Sequence, residues 1–129
     1  MSSFSKTSLK RLDGVDHRLQ DLAYRVVLEH HDCTIPEYGG KRTEEEQISL
    51  VAKGASKTMK SKHLEGLAID LVPYPIDWNN TKRFYYFAGI VMAVAREMGL
   101  KIRWGGDWDR DDDLDDQSFN DLVHFELWE

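Results

Sequence analysis

Two histidines and an aspartate, far apart in the chain, are placed where strand geometry would turn them to one point. In the last apolar run, Leu122-Val123-His124-Phe125-Glu126-Leu127, alternation sends Val123, Phe125 and Leu127 to one face and Leu122, His124 and Glu126 to the other. The first face reads as core. The second carries an imidazole and a carboxylate, groups that need partners once covered. The run Ala68-Ile69-Asp70-Leu71-Val72 repeats the pattern, with Asp70 between Ala68 and Val72 on a face otherwise apolar. A carboxylate there is costly unless a cation meets it.

His63 lies seven residues before Asp70, behind the turn-forming Gly66, so a loop or short helix can bring both side chains together. Two histidines and one carboxylate suit catalytic zinc, with the fourth position open for water. Spacing alone leaves a second reading open, in which each histidine is a separate hydrogen-bonded structural residue. Cys33, the single cysteine, reads as a buried structural thiol and has no internal disulfide partner.

The elements that must position these groups follow from periodicity. Leu12, Val15, Leu19, Leu22 and Val26 recur in steps of three and four, which predicts an amphipathic helix over 13–30. Residues 33–37 read as a short strand ended by Pro36 and Gly39-Gly40. Thr43 and Glu46 form a capping box for a helix over 44–53, stopped by Gly54. The polar segment 55–62 reads as a surface loop. Strands are expected at 68–72, 101–104 and 122–128, with a helix from Asn80-Thr81 to Gly99 between the first two. Short links favour antiparallel pairing, and an α+β fold in one domain, 1–129, is the expectation.

At 129 residues, with 41% hydrophobic and 31% charged side chains, the composition is that of a globular protein. The net charge of −6 disfavours nucleic acid as a partner. No stretch approaches 18 apolar residues, which argues against membrane insertion. Met-Ser-Ser-Phe-Ser-Lys-Thr-Ser lacks the apolar core of a secretory signal, so a cytoplasmic start is expected.

Ser61-Lys62-His63-Leu64-Glu65-Gly66-Leu67-Ala68-Ile69-Asp70 resembles the S-x-H-x-x-G-x-A-x-D motif of the D-alanyl-D-alanine carboxypeptidase and L-alanyl-D-glutamate peptidase family. Asp121-Leu122-Val123-His124 is similar to that family's second motif, an acidic residue three before the last ligand. Trp104-Gly105-Gly106-Asp107-Trp108 resembles the segment before it, and Arg42 an arginine upstream of the first motif. The matches span about residues 34–127 in the family's order.

The resemblance implies the α+β fold shared with the hedgehog signalling domain, and one zinc ion on His63, Asp70 and His124. It also implies Asp121 as the acid–base group and Arg42 for a substrate carboxylate. Ser61 would contact substrate or brace the ligand loop. Single-domain phage endolysins that cut between L-alanine and D-glutamate are the most similar subgroup. A monomer acting on peptidoglycan stem peptides is then expected, reaching the periplasm after membrane breach. The runner-up activity is D-alanyl-D-alanine carboxypeptidase; from another class, a non-catalytic metal-organised wall-binding module.

Around this set, Glu126 reads as a partner of a ligand histidine or an exposed edge, and Asp107 as a histidine-orienting acid or a turn former. Trp104 and Trp108 are expected in core and pocket wall, and His17, His30 and His31 facing water. Asp109, Asp111 and Asp113 imitate three ligands of a calcium loop, but Leu114 and Asn120 break the EF-hand pattern, leaving at most a looser Ca2+ site.

Overall fold

The computed structural model describes residues 2–113 and 121–128, and the elements follow local sequence closely. Helix α1 (Lys6–Arg11) is capped by Ser5, whose hydroxyl accepts the Ser8 N–H. Helix α2 (His17–Glu29) starts at Asp16, whose carboxylate accepts the Arg18 N–H at 2.9 Å. The single helix expected over 13–30 therefore begins four residues later, and α1 is an addition. Leu12 and Val15 stay buried, but in the turn between the two helices.

Strand β1 (Cys33–Thr34) is shorter than expected and pairs antiparallel with β3 (Val72–Pro73). Helix α3 (Glu44–Ala52) carries the expected capping box, with Thr43 and Glu46 exchanging both side-chain-to-backbone bonds. Helix α4 (Thr81–Glu97) buries Phe84, Phe87, Ala88, Val91, Val94 and Ala95. The strand expected over 68–72 divides in two. Its first part, β2 (Ala68–Asp70), joins β5 (Asp121–Leu127) and β4 (Ile102–Gly105) in an antiparallel sheet of order β2-β5-β4. The α+β architecture with antiparallel pairing is thus as expected.

Among the described residues, α2 and α4 pack together in the core, with Ile69, Leu71, Phe125 and Leu127 contributed from the strands and the segment after β2. Cys33 lies in that core, and burial pushes its thiol up to about 12. Among the described residues, no helix is long and apolar enough to cross a membrane.

Alternation along β5 holds for its second half. Ala68 faces Glu126 and Asp70 faces His124 across the β2 pairing, while Phe125 and Leu127 are buried with the core. It fails at the start of the strand. Trp104 pairs with Phe125, but the next residue, Gly105, pairs with Asp121, so β5 bulges there. Leu122 consequently packs against the core instead of sharing the His124 face. A Cβ on Gly105 would lie 2.1 Å from the Asp121 carbonyl oxygen, so only glycine permits this approach.

Candidate active site

His63 is carried by a 3₁₀ helix, Lys62–Glu65. Ser61 caps it by accepting the His63 N–H on its hydroxyl, and Gly66 ends it in the left-handed region at φ +72°. The segment delivers His63 to the end of β2, where Asp70 stands opposite His124 on β5. All three residues are buried, with 1%, 7% and 5% of their surface exposed.

Each imidazole is anchored through the nitrogen that faces away from the group. His63 Nδ1–H donates to the Gly40 carbonyl at 2.8 Å, which leaves Nε2 as the inward lone pair. His124 Nε2–H donates to Glu126 Oε1 at 2.8 Å, which leaves Nδ1 inward. His63 Nε2 then lies 3.1 Å from His124 Nδ1 and 3.2 Å from Asp70 Oδ1, and His124 Nδ1 lies 3.3 Å from the same oxygen. These separations fit the donor set to a metal: four tetrahedral ligands at zinc distances stand about 3.3 Å apart. The His63–Asp70–His124 group expected from spacing is therefore assembled, with one potential ligand atom from each residue converging.

Electrostatics follow from this packing. Burial would raise the Asp70 carboxyl, but the charge and hydrogen bonds of the two imidazoles outweigh it and hold it well below the usual carboxylate range. Burial likewise opposes charge on His124, yet hydrogen bonds to Asp70 and Glu126 and the charges of Asp70 and Asp121 lift it to about 9. Asp121 moves the other way. Burial first, then the charge of Asp70, raises its carboxyl above the ordinary value. A carboxyl raised in this way beside a metal-ligand set is suited to taking and returning a proton.

The group opens into a cleft of about 280 Å³, whose lining includes Arg42, Ser61, His63, Trp108, Asp121 and His124. Trp108 forms a wall, its ring 5.3 Å from that of His124, whereas Trp104 is buried and donates its indole N–H to the Leu122 carbonyl. Arg42 reaches the cleft but is also held in place. Its guanidinium donates to the Tyr38 carbonyl at 2.7 Å, to Gln47 Oε1 at 3.0 Å and to Asp70 Oδ2 at 3.4 Å. Ser61 braces the ligand segment through the His63 N–H.

Glu126 is 4% exposed and takes the first of its two expected roles, fixing His124. Its other oxygen accepts from Arg103 at 2.7 Å and faces Lys62 Nζ at 3.6 Å. Asp107 orients no histidine: its carboxylate accepts the backbone N–H groups of Asp111 and Asp112 and so turns the chain. His17 and His30 are exposed, while His31 packs edge-on against Phe87 and is only half-exposed. In the acidic loop, carboxylate oxygens of Asp107, Asp109 and Asp111 come within 4.8 Å of one another. Asp113 is outside that trio, and Leu114 and Asn120 of the calcium expectation lie outside the described residues.

Sequence reasoning passed over Gln47. Its side chain is fully buried, accepts from Arg42, and donates to Ser56 Oγ at 2.8 Å and the Thr58 carbonyl at 2.7 Å. A glutamine that follows Glu44, Glu45 and Glu46 on a helix carries no mark of burial; only the folded loop 55–60 reveals it.

Over residues 1–128 the sequence matches the family described as phage L-alanyl-D-glutamate peptidase. The chain belongs to that family. A relative from Escherichia phage T5, named L-alanyl-D-glutamate peptidase, is 36% identical over 121 residues, covering 88% of this chain and 87% of its own. A second of the same name, from Listeria phage A118, is 39% identical over 75 residues, 52% of this chain and 24% of the longer relative. Among solved structures, the Serratia marcescens L-Ala D-Glu endopeptidase ChiX is similar with a TM-score of 0.78 and 27% identity, covering 98% of this chain and 91% of that one.

Proposed function

We propose that the protein is a zinc-dependent peptidoglycan endopeptidase of phage lysis, cutting stem peptides at the L-alanyl–D-glutamate bond. The observation that carries this reading is the convergence of three potential ligand atoms in a buried site, with Asp121 lining the same cleft. The phage relatives and the Serratia neighbour, each named for that bond, support it.

His63 Nε2, Asp70 Oδ1 and His124 Nδ1 would hold the ion. When bound, zinc supplies Lewis-acid polarisation of the scissile carbonyl and of the attacking water. The remaining work falls to the chain. Asp121, its carboxyl raised by burial and by Asp70, takes the water's proton and returns it to the leaving amine. Arg42 has two N–H groups beyond its three contacts, and these bind a substrate carboxylate. Ser61 acts indirectly, by holding the His63 segment. Glu126 keeps His124 in the tautomer that turns Nδ1 inward. The protein works as a monomer, builds up in the cytoplasm and meets the wall once the membrane is breached.

Asp121→Asn is expected to keep zinc at close to wild-type affinity while lysis of purified walls falls by about 10²- to 10⁴-fold. Full lysis by that variant contradicts the assignment. Mass analysis of the released muropeptides should show a new D-glutamyl N-terminus. Free D-alanine in its place would make the enzyme a carboxypeptidase, and zinc binding with no release at all would make it a binding module.

A further inference from the structure

An amphipathic helix ordinarily buries its apolar stripe. Helix α3 does the reverse: Ile48 is 52% exposed, and the one residue of the helix that is fully buried is Gln47. A buried amide is costly unless its polar atoms find partners. Here they do, and the partners are separate parts of the cleft lining. Gln47 Oε1 accepts from Arg42 Nη1 at 3.0 Å, while Nε2–H groups donate to Ser56 Oγ at 2.8 Å and to the Thr58 carbonyl at 2.7 Å. A guanidinium can only donate and a carbonyl can only accept, so the position requires a donor and an acceptor on one side chain.

Arg42 in turn touches two of the three metal-capable residues. Its backbone N–H donates to the His63 carbonyl at 3.0 Å, and its Nη2 to Asp70 Oδ2 at 3.4 Å. The Asp70 contact is the longest that the guanidinium makes. Nε on the Tyr38 carbonyl and Nη1 on Gln47 are shorter, and they anchor the fork at two points. A guanidinium is planar, so two anchored nitrogens fix the direction of every remaining N–H. Without the Gln47 contact the fork can turn about its stem, and its ordering must be met when substrate binds.

We propose that Gln47 is a positioning residue of the peptidase reaction. It holds the Arg42 fork, together with the 56–58 segment of the cleft lining, in the arrangement that receives the substrate carboxylate. The inference rests on the endopeptidase reading and on the role of Arg42 within it, and it adds the residue that acts through Arg42.

The test follows cleavage of a synthetic stem peptide containing the L-alanyl–D-glutamate bond by zinc-loaded protein, with kcat and KM separated. Gln47→Met has a similar volume and removes both hydrogen-bonding functions. It should hold one zinc per chain and raise KM by about five- to tenfold, with kcat within about twofold of wild type. A purely structural glutamine would instead lower kcat through loss of folded enzyme and leave KM where it was. Arg42→Ala should also raise KM, and adding Gln47→Met to it should change KM by less than about twofold. Gln47→Asn, one methylene shorter, serves should the methionine variant not fold, with the same coupling to Arg42 expected. An unchanged KM in folded, zinc-loaded Gln47 variants, or effects at Gln47 and Arg42 that multiply, overturns the inference and leaves the endopeptidase reading intact. Should wild type fail to cut the peptide, that reading falls and this inference with it.

Discussion

Among the described residues, two places bring three metal-capable side chains together: the His63–Asp70–His124 group, carried by the 3₁₀ helix, β2 and β5, and the Asp107–Asp109–Asp111 turn after β4. Their surroundings differ. In the first, the side chains are buried, and outer partners turn each imidazole inward. In the second, Asp109 and Asp111 are exposed, and the Asp107 carboxylate is used by backbone N–H groups of its own loop. The titration directions separate the two as well. Imidazoles hold Asp70 down, whereas burial, then Asp109 and Asp111, push Asp107 up. Proximity of metal-capable groups is common to both places; withdrawal from water and imidazoles fixed by outer partners belong to one. Coulombic and metal interactions are strongest where solvent is excluded and no reorganisation is needed.

That contrast breaks most visibly by deletion. Replacing His63, Asp70 or His124 by Ala should abolish zinc retention and lower wall lysis by at least about 10³-fold, read by metal analysis and turbidity. Asp109→Ala/Asp111→Ala should still carry one zinc per chain. A smaller effect tests the outer partners: Glu126→Ala should weaken zinc binding by about 10- to 100-fold in competition with a chromophoric chelator. Unchanged affinity would mean that His124 orients itself.

The smallest effect is in pH. Burial would raise Glu126, but hydrogen bonds from His124 and Arg103 outweigh it and hold the carboxyl at about 2, below its ordinary 4.5. A lowered pKa contributes stability that is complete above 4.5 and lost as pH falls from about 4.5 towards 2. Denaturant midpoints of the metal-free protein should therefore decline across that window, and Glu126→Gln should reduce this slope while leaving the share contributed by Asp70, whose carboxyl is also held low.

Much of this arrangement was legible in the chain. Polar residues at alternate positions of two apolar strands marked Asp70 and His124, because a charge on a covered face demands a partner. Thr43 and Glu46 announced α3 through side-chain chemistry that acts within four residues. What stayed hidden depends on contacts between distant segments. The bulge at Gly105 shifts Leu122 into the core, and no local pattern foretells it. Gln47 looks like any helix-surface amide until loop 55–60 folds over it. The short α1 lacks a long apolar period, and its Ser5 cap is one serine among several.

The most direct test is zinc dependence itself: lysis of purified peptidoglycan by protein stripped with a chelator, then resupplied with one equivalent of zinc. Activity should vanish with the metal and return with it in wild type, and fail to return in Asp70→Ala. Undiminished lysis by metal-free protein would contradict the account at its root.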